Sequence, residues 1–180
     1  LPSPYGIGTM GKSAYEFVDW LKKAGQSYWQ ILPLGQTGYG DSPYQSFSSF
    51  AGNPYFIDLD MLRAEGLLTL TECEEVAVCD NPAYIDYEKM YNSRYRVLRK
   101  AFARFDEKSA KKYDRFEKNN AVWLDDYALY MACKAHFDQK PWTEWDEDIR
   151  LRKKKALKSY REKLAEEIRF WKFLQYYFLR

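Results

Sequence analysis

The sequence predicts an α/β fold that turns mostly helical after its first third, and three observations carry that prediction. A segment of helical period is followed at once by a short apolar and aromatic run of strand length. A loop rich in Gly, Ser and Pro comes next, and from about residue 70 onward the apolar residues recur at helical spacing.

The elements follow in chain order. Ser13 and Glu16 have the spacing of a capping box, Ala14, Phe17, Val18 and Leu21 share a helical face, and Gly25 suits the left-handed stop, so the pattern predicts a helix over 13–24. Residues 27–34 (SYWQILPL) are short, apolar and bounded by Gly25 and Gly35, as a buried strand is. Helix then buried strand is half of an α/β unit. Residues 35–54 (GQTGYGDSPYQSFSSFAGNP) carry no period. A loop of that length in a compact domain is functional or disordered as a rule, and its aromatics Tyr39, Tyr44, Phe47 and Phe50 argue against disorder. Tyr55 to Leu59 reads as a short extended piece, and Asp60 as the cap of a short helix ending at Gly66.

Past that point Thr71 with Glu74 forms another capping box. Asp86 caps a helix on which Leu98, Ala101, Phe102 and Phe105 share a face, and Leu124, Tyr127, Ala128, Met131, Ala132 and Ala135 form the stripe of the next, which residues 138–142 end. A last helix over 153–180 carries Leu157, Leu164, Ile168, Trp171 and Phe178. The expected division is therefore 1–69, with its loop 35–54, and a mostly helical 70–180. Leu1 opens directly into a turn-like LPSPYG, and Tyr177, Phe178 and Leu179 end the chain without a Gly or Pro stop, so both ends are expected to be cut from a larger catalytic domain.

Composition narrows the function classes. A chain of 180 residues with 46% apolar residues can bury a core. A net charge of +2 is too mild for nucleic acid or an anionic membrane to be a dedicated partner. Cys73, Cys79 and Cys133 form no CxxC pair and have only His136 nearby, which suggests neither a disulfide framework nor a metal site and fits a reducing cytosol. No apolar run approaches the ~20 residues that span a bilayer. The unusual number is the aromatic content, 18% with 16 Tyr and 6 Trp, since aromatic faces suit a ligand that is both apolar and hydroxylated, as a sugar is.

Residues 38–45 (GYGDSPYQ) concentrate two tyrosines, a carboxylate, a hydroxyl and an amide between glycines that permit sharp bends, with Pro43 stiffening the presentation of Tyr44. That composition can build a sugar platform. It can equally build a structural loop in which Asp41 makes an Asx turn, Ser42 caps it and Tyr44 fills a hole, and the residues alone favour the structural loop.

Four blocks in order carry a resemblance: LPSPYGIG (1–8), YWQILPLG (28–35), TGYGDSPYQSF (37–47) and FAGNPYFIDL (50–59), with looser matches at WLDDYALYM (123–131) and PWTEW (141–145). They resemble the opening signatures of the amylomaltase, or disproportionating enzyme, family of 4-α-glucanotransferases. The resemblance implies part of a (β/α)8 barrel with a large, mostly helical insertion. It implies transfer of α-1,4-glucan segments between maltooligosaccharides, in the cytosol and without a cofactor. Such retaining chemistry needs two carboxyl groups ~5 to 5.5 Å apart, which in the family come from later strands whose signatures are absent here, so no catalytic residue is assigned and this chain alone is expected to be inactive. The resemblance places Asp41, Ser42 and Tyr44 at the barrel mouth near the donor sugar and tips the balance away from the structural loop.

Tyr39, between two glycines, is a further sugar platform, with Tyr91 a possible companion, although an aromatic on a helix is more often core. Trp142 and Trp145 fit loop anchors better than glucan contacts. Asp125 with Asp126, and Glu166 with Glu167, are adjacent on helices and do not point at a common atom. The basic run Arg150, Arg152, Lys153, Lys154 and Lys155 is followed by Glu162, Glu166 and Glu167, which ion pairing explains. The alternatives are a non-catalytic glucan-binding module and a helical interaction module. Unsealed apolar faces also predict self-association.

Overall fold

The computed structural model describes residues 4–38, 40, 42–76, 81, 84–107 and 111–180. The chain separates into two compact units, residues 1–106 with 177–180, and residues 107–176.

In the first unit, helix α1 (Lys12–Lys23) ends as expected, with Gly25 at φ +74°. It begins earlier than the Ser13 capping box predicts. Gly11 stands at the N-cap without a side-chain cap, and a side chain there would collide with the Asp58 carboxylate. Asp58 in turn accepts from Thr9 Oγ1 at 2.5 Å and caps α2 (Leu59–Ala64) through the Met61 N–H at 2.9 Å. One carboxylate thus fixes the approach to α1 and the start of α2, and Asp58 replaces the predicted Asp60 as cap. Residues 54–56 form a 3-10 turn rather than an extended piece, because the Asn53 side chain accepts from the Tyr55 N–H at 3.0 Å and Pro54 opens the turn.

Helix α3 (Leu70–Glu74) shows the same displacement. Its capping box joins Thr69 and Glu72 instead of Thr71 and Glu74. The reason is long-range: Arg104, in the last turn of α4 (Tyr87–Arg104), reaches both Glu72 oxygens at 2.7 Å and the Leu67 carbonyl at 2.8 Å. Asp86 caps α4 as expected, through the Lys89 N–H at 3.0 Å. Val97, Leu98 and Ala101 of α4 are buried with Leu59, Leu62 and Cys73.

At the centre of this core lies a cation. Arg94 is fully buried, and its Nη2 donates to the Tyr55 carbonyl at 3.1 Å and to the Ile57 carbonyl. Its Nε and Nη1 have no hydrogen-bond partner among the described residues. Burial lowers its proton affinity to about 10, opposed by the nearby Asp58 charge. The last residues of the chain also belong here: Tyr177 donates to Glu65 at 2.8 Å, and Arg180 pairs with the same carboxylate at 2.5 Å.

The predicted strand over 27–34 is not formed, and no strand occurs among the described residues, so the α/β class is met in its helical part alone. Residues 22–33 are exposed throughout, with Tyr28 at 94% and Leu32 at 61%. A strand is defined by backbone pairing, and among the described residues this run pairs only at its end, where Leu34 accepts from the Asn53 N–H at 2.8 Å and Gly35 bridges Gly52.

The second unit is helical. In α5 (Lys111–His136) the predicted stripe is buried at Leu124, Tyr127, Ala128, Met131 and Ala132, and Asp138 and Gln139, both left-handed, turn the chain away after its end. The expected single helix over 153–180 is instead two, α7 (Lys154–Lys163) and α8 (Ala165–Leu179), after the short α6 (Glu147–Arg150). Leu164 interrupts them at φ −107° and ψ 21° without a Gly or Pro. The burial pattern changes there: α7 buries no residue fully, whereas Phe170, Trp171, Phe173, Leu174, Gln175 and Tyr176 of α8 are buried around nearly the whole circumference. No helix among the described residues is long and apolar enough to cross a membrane.

Arg94→Ala should destabilise the chain by about 3 kcal/mol in urea denaturation, since it strands two buried carbonyls and opens a cavity; a change below about 1 kcal/mol would mean that the guanidinium is not what holds this segment. Glu72 is held at about 2, from 4.5, first by its bonds to Arg104 and then by the Thr69 N–H. A carboxyl depressed on folding contributes stability above its unfolded value and loses it as pH falls through the folded one. The gap in melting temperature between the wild type and Glu72→Gln should therefore be full above pH 4.5 and close as the pH approaches 2.

Candidate functional site

The loop after the exposed run begins and ends side by side, held by the Gly35–Gly52 bridge. A side chain at Gly35 would meet Ser46, and one at Gly52 would meet the Phe178 ring, so the close approach requires glycine at both positions. Within the loop, Ser46 Oγ donates to the Ser48 carbonyl at 2.9 Å, and Ser48 Oγ accepts from the Phe50 and Ala51 N–H groups at 3.1 and 3.2 Å. The Gln45 N–H donates to the Ser42 carbonyl at 3.2 Å and the Tyr44 N–H to Ser42 Oγ at 3.4 Å, which makes Pro43 and Tyr44 the central pair of a tight turn with proline in its favoured place.

Tyr44 is 73% exposed, and its ring and hydroxyl have no partner among the described residues. It fills no hole. Ser42 is half-buried and serves the turn. Tyr39 and Asp41 lie outside the described residues. Tyr91, for which a core role was the more expected, is half-exposed on α4, edge-on to Tyr95 at 5.8 Å. Tyr95 packs against Tyr55 at 5.8 Å and, through its hydroxyl, accepts from the buried Gln36 Nε2 at 3.4 Å. Gln36 thus ties the start of the loop to the row of tyrosines that contains Tyr91. Sequence reading missed Gln36, Tyr55 and Tyr95; the spacing of Tyr87, Tyr91 and Tyr95, four residues apart on one helix face, is the signal that marked the row. Among the described residues no hydrogen bond or ring contact joins Tyr44 to Tyr91.

The other candidates separate. Asp125 pairs with Lys172 at 2.6 Å, and Asp126 pairs with Arg152 at 2.8 Å and Arg161 at 3.7 Å, so the adjacent carboxylates face different cations. Glu167 accepts from the Trp171 indole at 2.9 Å. Lys153 pairs with Asp148 at 2.5 Å, and His136 Nε2 lies 3.0 Å from Lys163 Nζ on an exposed face. Trp145 is buried and donates to the Lys140 carbonyl at 3.2 Å, the loop anchor expected of it.

A model of the 4-alpha-glucanotransferase family matches residues 1–180. The chain belongs to that family. It is 53% identical to the 4-alpha-glucanotransferase of Clostridium butyricum over 99% of its own length and 37% of that protein, and 44% identical to that of Thermus thermophilus over 100% of its own length and 36% of that protein. A solved amylomaltase from Streptococcus agalactiae in complex with acarbose matches 99% of this chain and 37% of that one, with a TM-score of 0.93 and 41% identity. This chain therefore spans little more than a third of the length of these relatives.

Because the Tyr44 side chain supports nothing around it, Tyr44→Ala should leave the urea midpoint within the equivalent of about 0.5 kcal/mol of the wild type. A larger loss would return Tyr44 to a packing role.

Proposed function

We propose that this chain contributes the substrate-holding part of a 4-α-glucanotransferase, with Ser42, Tyr44, Tyr39 and Asp41 of the loop and Tyr91 of α4 meeting an α-1,4-glucan at the donor side. The single observation that supports this best is Tyr44: a large aromatic side chain, set on a proline-centred turn in a loop closed at its base, exposed and without a structural task. Tyrosine offers a sugar its flat apolar face and one hydroxyl. Family membership supplies the ligand class. The similar amylomaltase from Streptococcus agalactiae is a complex with acarbose, which supports a sugar ligand.

On this reading residues 1–69 are a segment of a (β/α)8 barrel, and the exposed 27–34 run is one of its strands, paired in the whole enzyme by strands outside the shared third. The apolar side chains it exposes here, Ile31 and Leu32 among them, make this chain self-associate. Residues 70–180 are the helical insertion. The retaining pair of carboxyl groups belongs to the part of the relatives that this chain does not match, so the chain by itself binds glucan without transferring it. The place of action is the cytosol, which suits the free, buried thiols of Cys73 and Cys133.

Titration with maltoheptaose should give saturable binding that Tyr44→Ala weakens by about 1 kcal/mol, roughly fivefold. Equal affinity in the variant would remove Tyr44 from the site. Incubation with maltotriose should yield no ladder of longer and shorter products, and a ladder would show that catalytic carboxylates lie within these residues.

A further inference from the structure

The second unit contains a cleft that the proposed glucan-holding loop does not use. It has a volume of about 400 Å³, within the range of about 300–1,000 Å³ usual for small-ligand sites, and lies beside α5, under the segment from Trp142 to Leu157. One wall is aromatic. Trp145 forms its buried back, stacked on Phe137 with centroids 5.4 Å apart and an interplanar angle of 15°, and tilted against Tyr130 at 5.3 Å. Trp142 stands at the mouth, 51% exposed, on a 3-10 turn that Pro141 precedes. Its indole N–H has no partner among the described residues, in contrast to that of Trp145, which the Lys140 carbonyl accepts.

The rest of the lining includes polar groups. Asp126 is held by Arg152 at 2.8 Å, and Arg152 takes up this position with a left-handed backbone, φ +55°, unusual for a side chain of its size. Arg150 donates to the Thr143 carbonyl at 3.0 Å and has no carboxylate partner among the described residues, so its other N–H groups face solvent unspent. An aromatic face together with a carboxylate and a guanidinium is complementary to a pyranose. The ring's C–H face lies on the indole, while neighbouring hydroxyls donate to the carboxylate and accept from the guanidinium.

We infer that this cleft, with Trp142 as its platform and Asp126 and Arg150 as its polar rim, is a second binding site for an α-glucan chain, separate from the Tyr44 loop. The choice of glucan as the ligand rests on the proposed function; the existence of the site rests on the cleft.

The test is ¹⁹F NMR of the chain labelled with 5-fluorotryptophan and titrated with maltoheptaose, the Trp142 line being the one missing from Trp142→Phe. In wild type and in Tyr44→Ala alike the Trp142 line should shift saturably with the same midpoint. Arg150→Ala, an exposed change, should raise that midpoint by about tenfold. Overall binding that disappears in Tyr44→Ala together with any movement of the Trp142 line would leave the proposed function standing and remove the second site. A Trp142 line that stays still while Tyr44-dependent binding proceeds would remove it equally. Absence of all binding in a folded wild-type sample would overturn both.

Discussion

The first unit is organised around a charge that water does not reach. Arg94 lies inside the core of α4 and gives its Nη2 protons to the carbonyls of Tyr55 and Ile57, the two sides of the turn that follows Pro54. Burying a guanidinium is costly unless its protons find acceptors, and those carbonyls would be equally costly without a donor. Each needs the other, and the segment from Asn53 to Asp58 is fixed as a result. Asn53 then reaches back to Leu34, and Asp58 secures both the approach to α1 and the cap of α2. The returning leg of the loop that presents Tyr44 is therefore set by a contact in the interior.

That arrangement separates support from presentation. Gly35, Gly52, Gln36 and Asn53 close the base of the loop by backbone contacts and buried hydrogen bonds, while Tyr44 and Phe50 project from it exposed. A rigid base with an idle aromatic at its tip loses little conformational freedom on binding. In the second unit Trp145 is buried and stacked on Phe137, while Trp142 is half-exposed.

The helix starts show how far local signals reach. The run Asp58-Leu59-Asp60 offers two acidic caps, and Thr69-Leu70-Thr71 followed by Glu72 and Glu74 offers two capping boxes of equal local merit. In each case the earlier one is used. Asp58 is the carboxylate that fits over Gly11 and meets Thr9, and Glu72 is the one that Arg104 reaches from 32 residues away. The site was legible to a similar depth. The glycines, Pro43 and Tyr44 announced a shaped loop with an aromatic to present, whereas the bond from Gln36 to Tyr95, 59 residues apart, and the exposure of Tyr91 depend on α4 lying against the loop base.

By itself the sequence determined the helices, because a repeat of 3.6 residues, an N-cap and a stop glycine act within a few turns of chain, and it determined the family, because four motifs in order are a local record. Only the tertiary structure decided which cap is used, where the long final helical stretch breaks, and that Arg94 belongs inside. It also decided the fate of residues 27–34. Their apolar and aromatic composition is that of a buried strand, but the hydrogen bonds of a strand are made to another chain segment, and among the described residues they find one only where Leu34 and Gly35 meet Gly52 and Asn53.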